Sequence, residues 1–152
     1  MLPINETIPD EVRHGCLIHA SIQDCFQAIT TTDGWNSWFT SKIFIDLKIG
    51  GVLMFEWKNW GADHFSGGDH GSILDIKENE MLSFTWHPDQ PDYATRVDLT
   101  LENASDGTVI RVSEQGFRDS PEGLHAMLQC AAGWGEALTY LKMYLEHGLQ
   151  PK

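Results

Sequence analysis

Five residues carry the most tempting chemistry in this sequence: Asp63-His64, Asp69-His70 and, further on, His87. Imidazole and carboxylate groups are ligands for zinc and other first-row metals, and loop ends could bring them together. Their spacing matches no tight metal signature, and they surround glycine-rich turns. The expectation is solvated loop residues and no metal site. Nucleophilic catalysis has thinner support, with no Gly-x-Ser-x-Gly elbow and no Cys beside a His in sequence. Only folding could assemble such a pair. Gly67, Gly68 and Gly71 lack the Lys-Ser/Thr that completes a phosphate loop and do not form Gly-x-Gly-x-x-Gly. No nucleotide and no other cofactor is expected.

The apolar candidates are Phe26, Trp38, Trp57, Trp86 and Trp134, with the flexible thioether of Met127. Such broad, adaptable surfaces suit the lining of a ligand cavity, although filling a core is the commoner fate of large rings. Gly133 and Gly135 flank Trp134 and would let a ligand or a backbone come close there. Glu56, Asp75, Arg96 and Glu114 fall on strand-like segments. A solvent-facing side is expected for each, since a buried charge needs a partner.

The elements that must position these groups form a simple series. Val12, Cys16 and Ile18 fall at even positions of a first strand. Ser21 and Asp24 resemble a capping box before Ile22, Phe26 and Ile29, which share a helical face, and a second short helical piece spans Gly34 to Phe39. Strands follow over 42–47, 52–57, 72–77 and 81–86, with Gly50-Gly51 and Gly67-Gly68-Asp69 read as turns. Val97, Leu99 and Leu101 alternate with polar residues over 94–102, and Ile110 and Val112 continue an inner face over 108–114. Alternation and short turns mean antiparallel strands. Residues 121–147 then form one helix about 40 Å long. Its proposed apolar stripe is Leu124, Met127, Leu128, Ala131, Trp134, Leu138, Leu141 and Leu145. One domain over 1–152 is expected, with 1–10 as a loose arm.

Charge limits the partners. Ten Lys and Arg stand against 22 Asp and Glu, a formal net of −12. That sign repels phosphate backbones and anionic membrane surfaces. No apolar run approaches the roughly 20 residues that span a bilayer. Three scattered cysteines (Cys16, Cys25, Cys130) and no apolar export segment point to reduced thiols, so a cytoplasmic location is expected.

Several segments together resemble one family. They are IHASIQDCFQAITTTDGWNSWF at 18–39, GG at 50–51, GSILDI at 71–76 and LSFTW at 82–86. TLENASDGTVIRVSEQGF at 100–117 and GWGEALTYLKMYLE at 133–146 complete the set. Their order resembles the homologues of the activator of the heat-shock-protein-90 ATPase, within the START-like or SRPBCC superfamily. The resemblance implies an α+β helix-grip fold: an antiparallel sheet curved around a long C-terminal helix, with two short helices after the first strand and an apolar cavity between sheet and helix. The eukaryotic co-chaperone of the family carries a further N-terminal domain that this sequence does not contain, so chaperone activation is not expected.

One fold of this kind hosts several functions. The leading expectation is a cytoplasmic domain binding an apolar or amphipathic small molecule. The alternatives are an enzyme of the polyketide-cyclase or hydrolase kind and a protein-interaction module, with a homodimer among the partners considered. A shifted carboxyl or imidazole in the pocket favours the enzyme. A large exposed apolar patch favours interaction. The charge yields one direct prediction: no salt-sensitive binding to DNA or RNA in a fluorescence-anisotropy titration. Micromolar binding to random duplex that weakens with salt would contradict it.

Overall fold

The computed structural model describes residues 6–151. In chain order it contains β1 (Val12–Ile18), α1 (Ile22–Thr30), α2 (Thr32–Trp38), β2 (Lys42–Ile45), β3 (Val52–Trp60) and β4 (Phe65–Lys77). β5 (Met81–Trp86), β6 (Thr95–Ala104), β7 (Gly107–Gln115) and α3 (Pro121–His147) follow. The strands form one antiparallel sheet in the order β1-β7-β6-β5-β4-β3-β2. Register shifts between Trp57 and Trp60 and between Ile73 and Asp75 break the ladder, and such bulges bend a sheet.

The helix starts obey local chemistry. Ser21 Oγ accepts from Asp24 N, Thr31 Oγ1 from Gly34 N and Ser120 Oγ from Gly123 N. Each hydroxyl satisfies an amide that the helix itself leaves free. Pro121 fits the first turn of α3, and Gly148 ends the helix with φ of 68°, a left-handed conformation that glycine adopts without strain. The α1–α2 corner is pinned by two indoles: Trp35 donates to Ile29 O at 2.7 Å and Trp38 to Ala28 O at 2.8 Å.

The inner face of the sheet carries Leu53, Phe55, Ile73, Leu82, Phe84, Val97, Leu99, Ile110 and Val112, all buried against α1, α2 and α3.

Three expectations need correction. Gly67-Gly68-Asp69 is not a turn but part of β4; the chain reverses at 61–64 instead. These strand glycines mark tight neighbours rather than bends: a Cβ on Gly71 would sit 1.5 Å from Thr85 O. The N-terminal half of the α3 stripe is also displaced. Leu124, Leu128 and Ala131 are exposed, Leu128 at 62%, while Ala126 and Trp134 are buried and Met127 and Cys130 partly so. Leu128 lies six residues from Trp134, about 240° around the helix at 100° per residue. Third, residues 6–8 are not a loose arm, since Ile8 N donates to Phe117 O and Glu6 O accepts from Asp119 N. Residues 1–5 of that arm lie outside the described residues.

Two leucines of α3 therefore behave oppositely. Leu138 is fully buried, so Leu138→Ala costs about 2–5 kcal/mol in chemical denaturation, from lost transfer energy plus a cavity. Leu128→Ala stays within about 0.5 kcal/mol of wild type. Equal losses would contradict this facing of the helix.

Candidate functional site

β7 alternates inward Thr108, Ile110 and Val112, and the next inward residue is Glu114. Sequence reasoning expected this carboxyl to face solvent; it is 0% exposed. Burial is tolerated because three donors converge on it. Trp134 Nε1 donates to Oε1 at 2.8 Å, while Trp86 Nε1 and Thr95 Oγ1 each donate to Oε2 at 2.6 Å. The Cys130 thiol is a near neighbour of the same carboxyl. Burial raises the Glu114 pKa above its ordinary value, and these hydrogen bonds pull it only partly back. The Cys130 thiol is also pushed up, first by burial and then by the neighbouring Glu114, so it is a poor nucleophile.

Beside this knot the sheet and α3 separate. A pocket of about 490 Å³ opens there, between the β3–β4 end and the middle of α3. Trp57, Trp86 and Trp134 line it together with Phe39, Trp60 and Phe65. From α3 come Ala126, Cys130, Gly133, Ala137 and Tyr140. Small side chains opposite large rings are what leave the space. At the mouth, Trp60 meets Tyr140 edge to face at 6.1 Å, and Tyr140 donates to Glu136 at 2.6 Å.

Phe26, Trp38 and Met127 fall outside this lining. Trp38 is spent on the α1–α2 corner, and Phe26 and Met127 pack partly buried against the core. Neither helix glycine admits a close backbone: a Cβ on Gly133 meets nothing within 4 Å, and one on Gly135 only His14 at 4.0 Å. Gly133 instead borders the open pocket. Phe39, Trp60, Phe65 and Tyr140 were missed because their places depend on the hairpin end and on helix phase. Glu114 had a signal, since it continues the period-two series through Ile110 and Val112.

Glu56 and Arg96 are exposed and Asp75 half-buried, its Oδ1 accepting from Ile76 N. Arg96 pairs with Asp98 at 3.0 Å. The five metal-type candidates divide. Asp63 and His64 sit in the 61–64 turn, where Asp63 joins the pocket lip. Asp69 and His70 lie within β4 rather than a loop and converge with His87. All three cysteines are free, and among the described residues no helix is long and apolar enough to cross a membrane.

A curved antiparallel sheet gripping one long C-terminal helix, with a short helix pair, is the helix-grip architecture of START-like domains. Residues 19–146 match the family described as Activator of Hsp90 ATPase homolog 1-like protein, and the chain belongs to that family. The fold is similar to that of an Aha1 dimer from Colwellia psychrerythraea, at 23% identity and TM-score 0.76, covering 91% of this chain and 98% of the other. A Staphylococcus saprophyticus protein aligns with TM-score 0.76 at 19% identity over 94% and 96% of the two chains. DynU16, from the dynemicin biosynthetic locus, aligns with TM-score 0.77 at 20% identity over 94% of this chain and 49% of its own. A search of curated proteins finds no match.

Glu114 sets the predictions for this site. Glu114→Gln brings an amide NH₂ among donors, so one indole N–H loses its acceptor whichever way the amide turns. The expected cost is about 1–3 kcal/mol in urea denaturation. The pH dependence follows from the raised carboxyl. A group that holds its proton more tightly when folded favours folding at low pH. That contribution is lost as pH climbs from about 4.3, the ordinary glutamate value, through the raised one. Wild type therefore loses stability relative to Glu114→Gln over that interval. A flat difference, or one of opposite sign, contradicts the assignment.

Proposed function

We propose that this domain binds an apolar or amphipathic small molecule in the pocket between the sheet and α3. The observation that carries the reading is the combination of free volume and ring surface. About 490 Å³ is enough for a drug-sized molecule, and four tryptophans, two phenylalanines and a tyrosine offer it area. Cys130 and Asp63 supply polar points at the wall and lip. Glu114 acts through others, as its oxygens are taken by Trp86, Trp134 and Thr95. That occupancy supports a binding role over an enzymatic one, because a carboxyl so engaged positions the wall rather than a substrate. A cytoplasmic setting fits the three free cysteines.

A second reading has its own observation. The outer face of β2 and β3, at the sheet edge, exposes Phe44 at 58%, Val52 at 44% and Met54 at 55%, with Ile49 at 68% in the adjoining turn. A contiguous apolar face of this kind suits a protein partner. A second copy of the chain is the simplest occupant, and the Colwellia relative was solved as a dimer. Both roles can coexist, because the two surfaces lie on opposite sides of β3.

The pocket is tested by filling it. Gly133 borders it with open space at its Cβ position, so Gly133→Leu occupies volume and improves helix propensity without a clash. Fatty acids, aromatic polyketides and sterols are screened by thermal shift and tryptophan fluorescence. A binding ligand stabilises wild type by about 2.7 kcal/mol at a hundredfold excess over Kd, and Gly133→Leu loses that gain while staying folded. Ligands that stabilise both proteins equally place the site elsewhere, and a screen that shifts nothing contradicts the binding reading.

A further inference from the structure

Outside the pocket, β4 and the residue after β5 bring two imidazoles and a carboxylate together. The register that pairs Ile73 with Phe84, carried three residues along, sets His70 opposite His87. Asp69 is fixed from both strands: Oδ1 accepts from His70 N at 2.7 Å and Oδ2 from His87 N at 2.6 Å. His87 Nδ1 lies 3.0 Å from Asp69 Oδ1 and 2.9 Å from the His70 carbonyl oxygen. The two imidazole rings lie 4.7 Å apart, tilted by 39°. One ligand atom from each of the three side chains lies within 4.8 Å of the others.

The geometry points to a binding site for a first-row divalent cation, zinc above all, formed by Asp69, His70 and His87. Two nitrogens and one carboxylate oxygen suit a borderline metal, whereas calcium and magnesium prefer oxygen-only shells. Three protein ligands leave a fourth, solvent-facing position, in keeping with the exposure of His70. Zinc bonds of about 2.0–2.2 Å put tetrahedral ligand atoms roughly 3.3 Å apart. The Asp69–His87 pair already stands near that separation, and the exposed His70 ring has only to swing inward. The two backbone amides on Asp69 serve as the outer shell that orients a ligating carboxylate.

Without metal, His87 Nδ1 faces two acceptors and so carries the ring proton. The cation replaces that Nδ1 proton, which passes to solvent, and the neutral metal-bound ring takes up a proton from solvent on Nε2 instead.

The test is calorimetric titration of the metal-free full chain with zinc chloride, paired with the visible d–d bands of cobalt(II). The expected result is one ion per chain. His70→Ala, His87→Ala and Asp69→Asn each weaken binding at least tenfold. His14→Ala and His125→Ala, which lie outside the cluster, leave it unchanged. Zinc raises the Tm of wild type and not of His70→Ala. If His87→Ala fails to fold, the exposed His70→Ala carries the comparison. Absence of zinc binding by wild type overturns the site. So does binding that survives His70→Ala and His87→Ala, or that falls equally with His125→Ala.

Discussion

A carboxyl group stripped of water is the constraint on which this domain turns. Glu114 on β7 receives hydrogen bonds from β5 through Trp86, from β6 through Thr95 and from α3 through Trp134. Four successive elements, β5, β6, β7 and α3, thus share one acceptor. Burying a carboxyl is unfavourable unless donors replace water, and removing the donors from the carboxyl would be just as costly. Each group requires the others. That mutual dependence fixes the rotamers of two tryptophans, and their rings form the pocket wall. Local electrostatics, helix phase and pocket shape are thereby a single arrangement.

The cavity follows from the same arrangement. With Trp86 and Trp134 held 5.4 Å apart by their centroids, neither ring can collapse into the space beside it. Along α3, on either side of Trp134, Ala126, Gly133 and Ala137 border the space with side chains too small to fill it. The sheet bends at the register shifts between β3 and β4 and between β4 and β5, and Trp60 with Tyr140 closes only the rim. Packed interiors normally leave little void, so an aromatic pocket kept open by tied rings and small helix residues is well suited to receive a molecule. The outer face differs in kind. There Phe44, Val52 and Met54 are exposed by their strand phase and line a shallow, open depression with Lys42, Glu56 and His70 rather than a space walled by rings.

Much of the fold was legible because period and punctuation agree. β1, β5 and α3 run as their alternation, caps and Gly148 demand, and the resemblance over 18–146 gave the element order. The errors share a cause: local signals lost to tertiary contacts. Gly67-Gly68 resembles a turn, yet it accommodates Phe55 O, which would lie 2.8 Å from a Cβ on Gly68. The leucines at 124 and 128 resemble core, yet the sheet lies against the face carrying Ala126, Cys130 and Trp134. At the site, tryptophan identity was informative for Trp57, Trp86 and Trp134 and misleading for Trp38, whose indole caps a helix end. Glu114 was in phase with the inner face but set aside on chemical grounds, because its three donors come from other parts of the chain. Asp69, His70 and His87 were singled out with Asp63 and His64, but only cross-strand register decides that the first three converge.

The central claim is that one raised, buried carboxyl is shared by two indoles, and the indoles themselves can report it. The measurement is the ¹H–¹⁵N shift of the Trp86 and Trp134 side-chain N–H groups through an acid-to-neutral pH titration. The account predicts that both signals titrate together with one midpoint above about 4.3, and that Glu114→Gln abolishes the transition. Signals that move independently, titrate at or below that ordinary value, or keep their transition in the variant would contradict it.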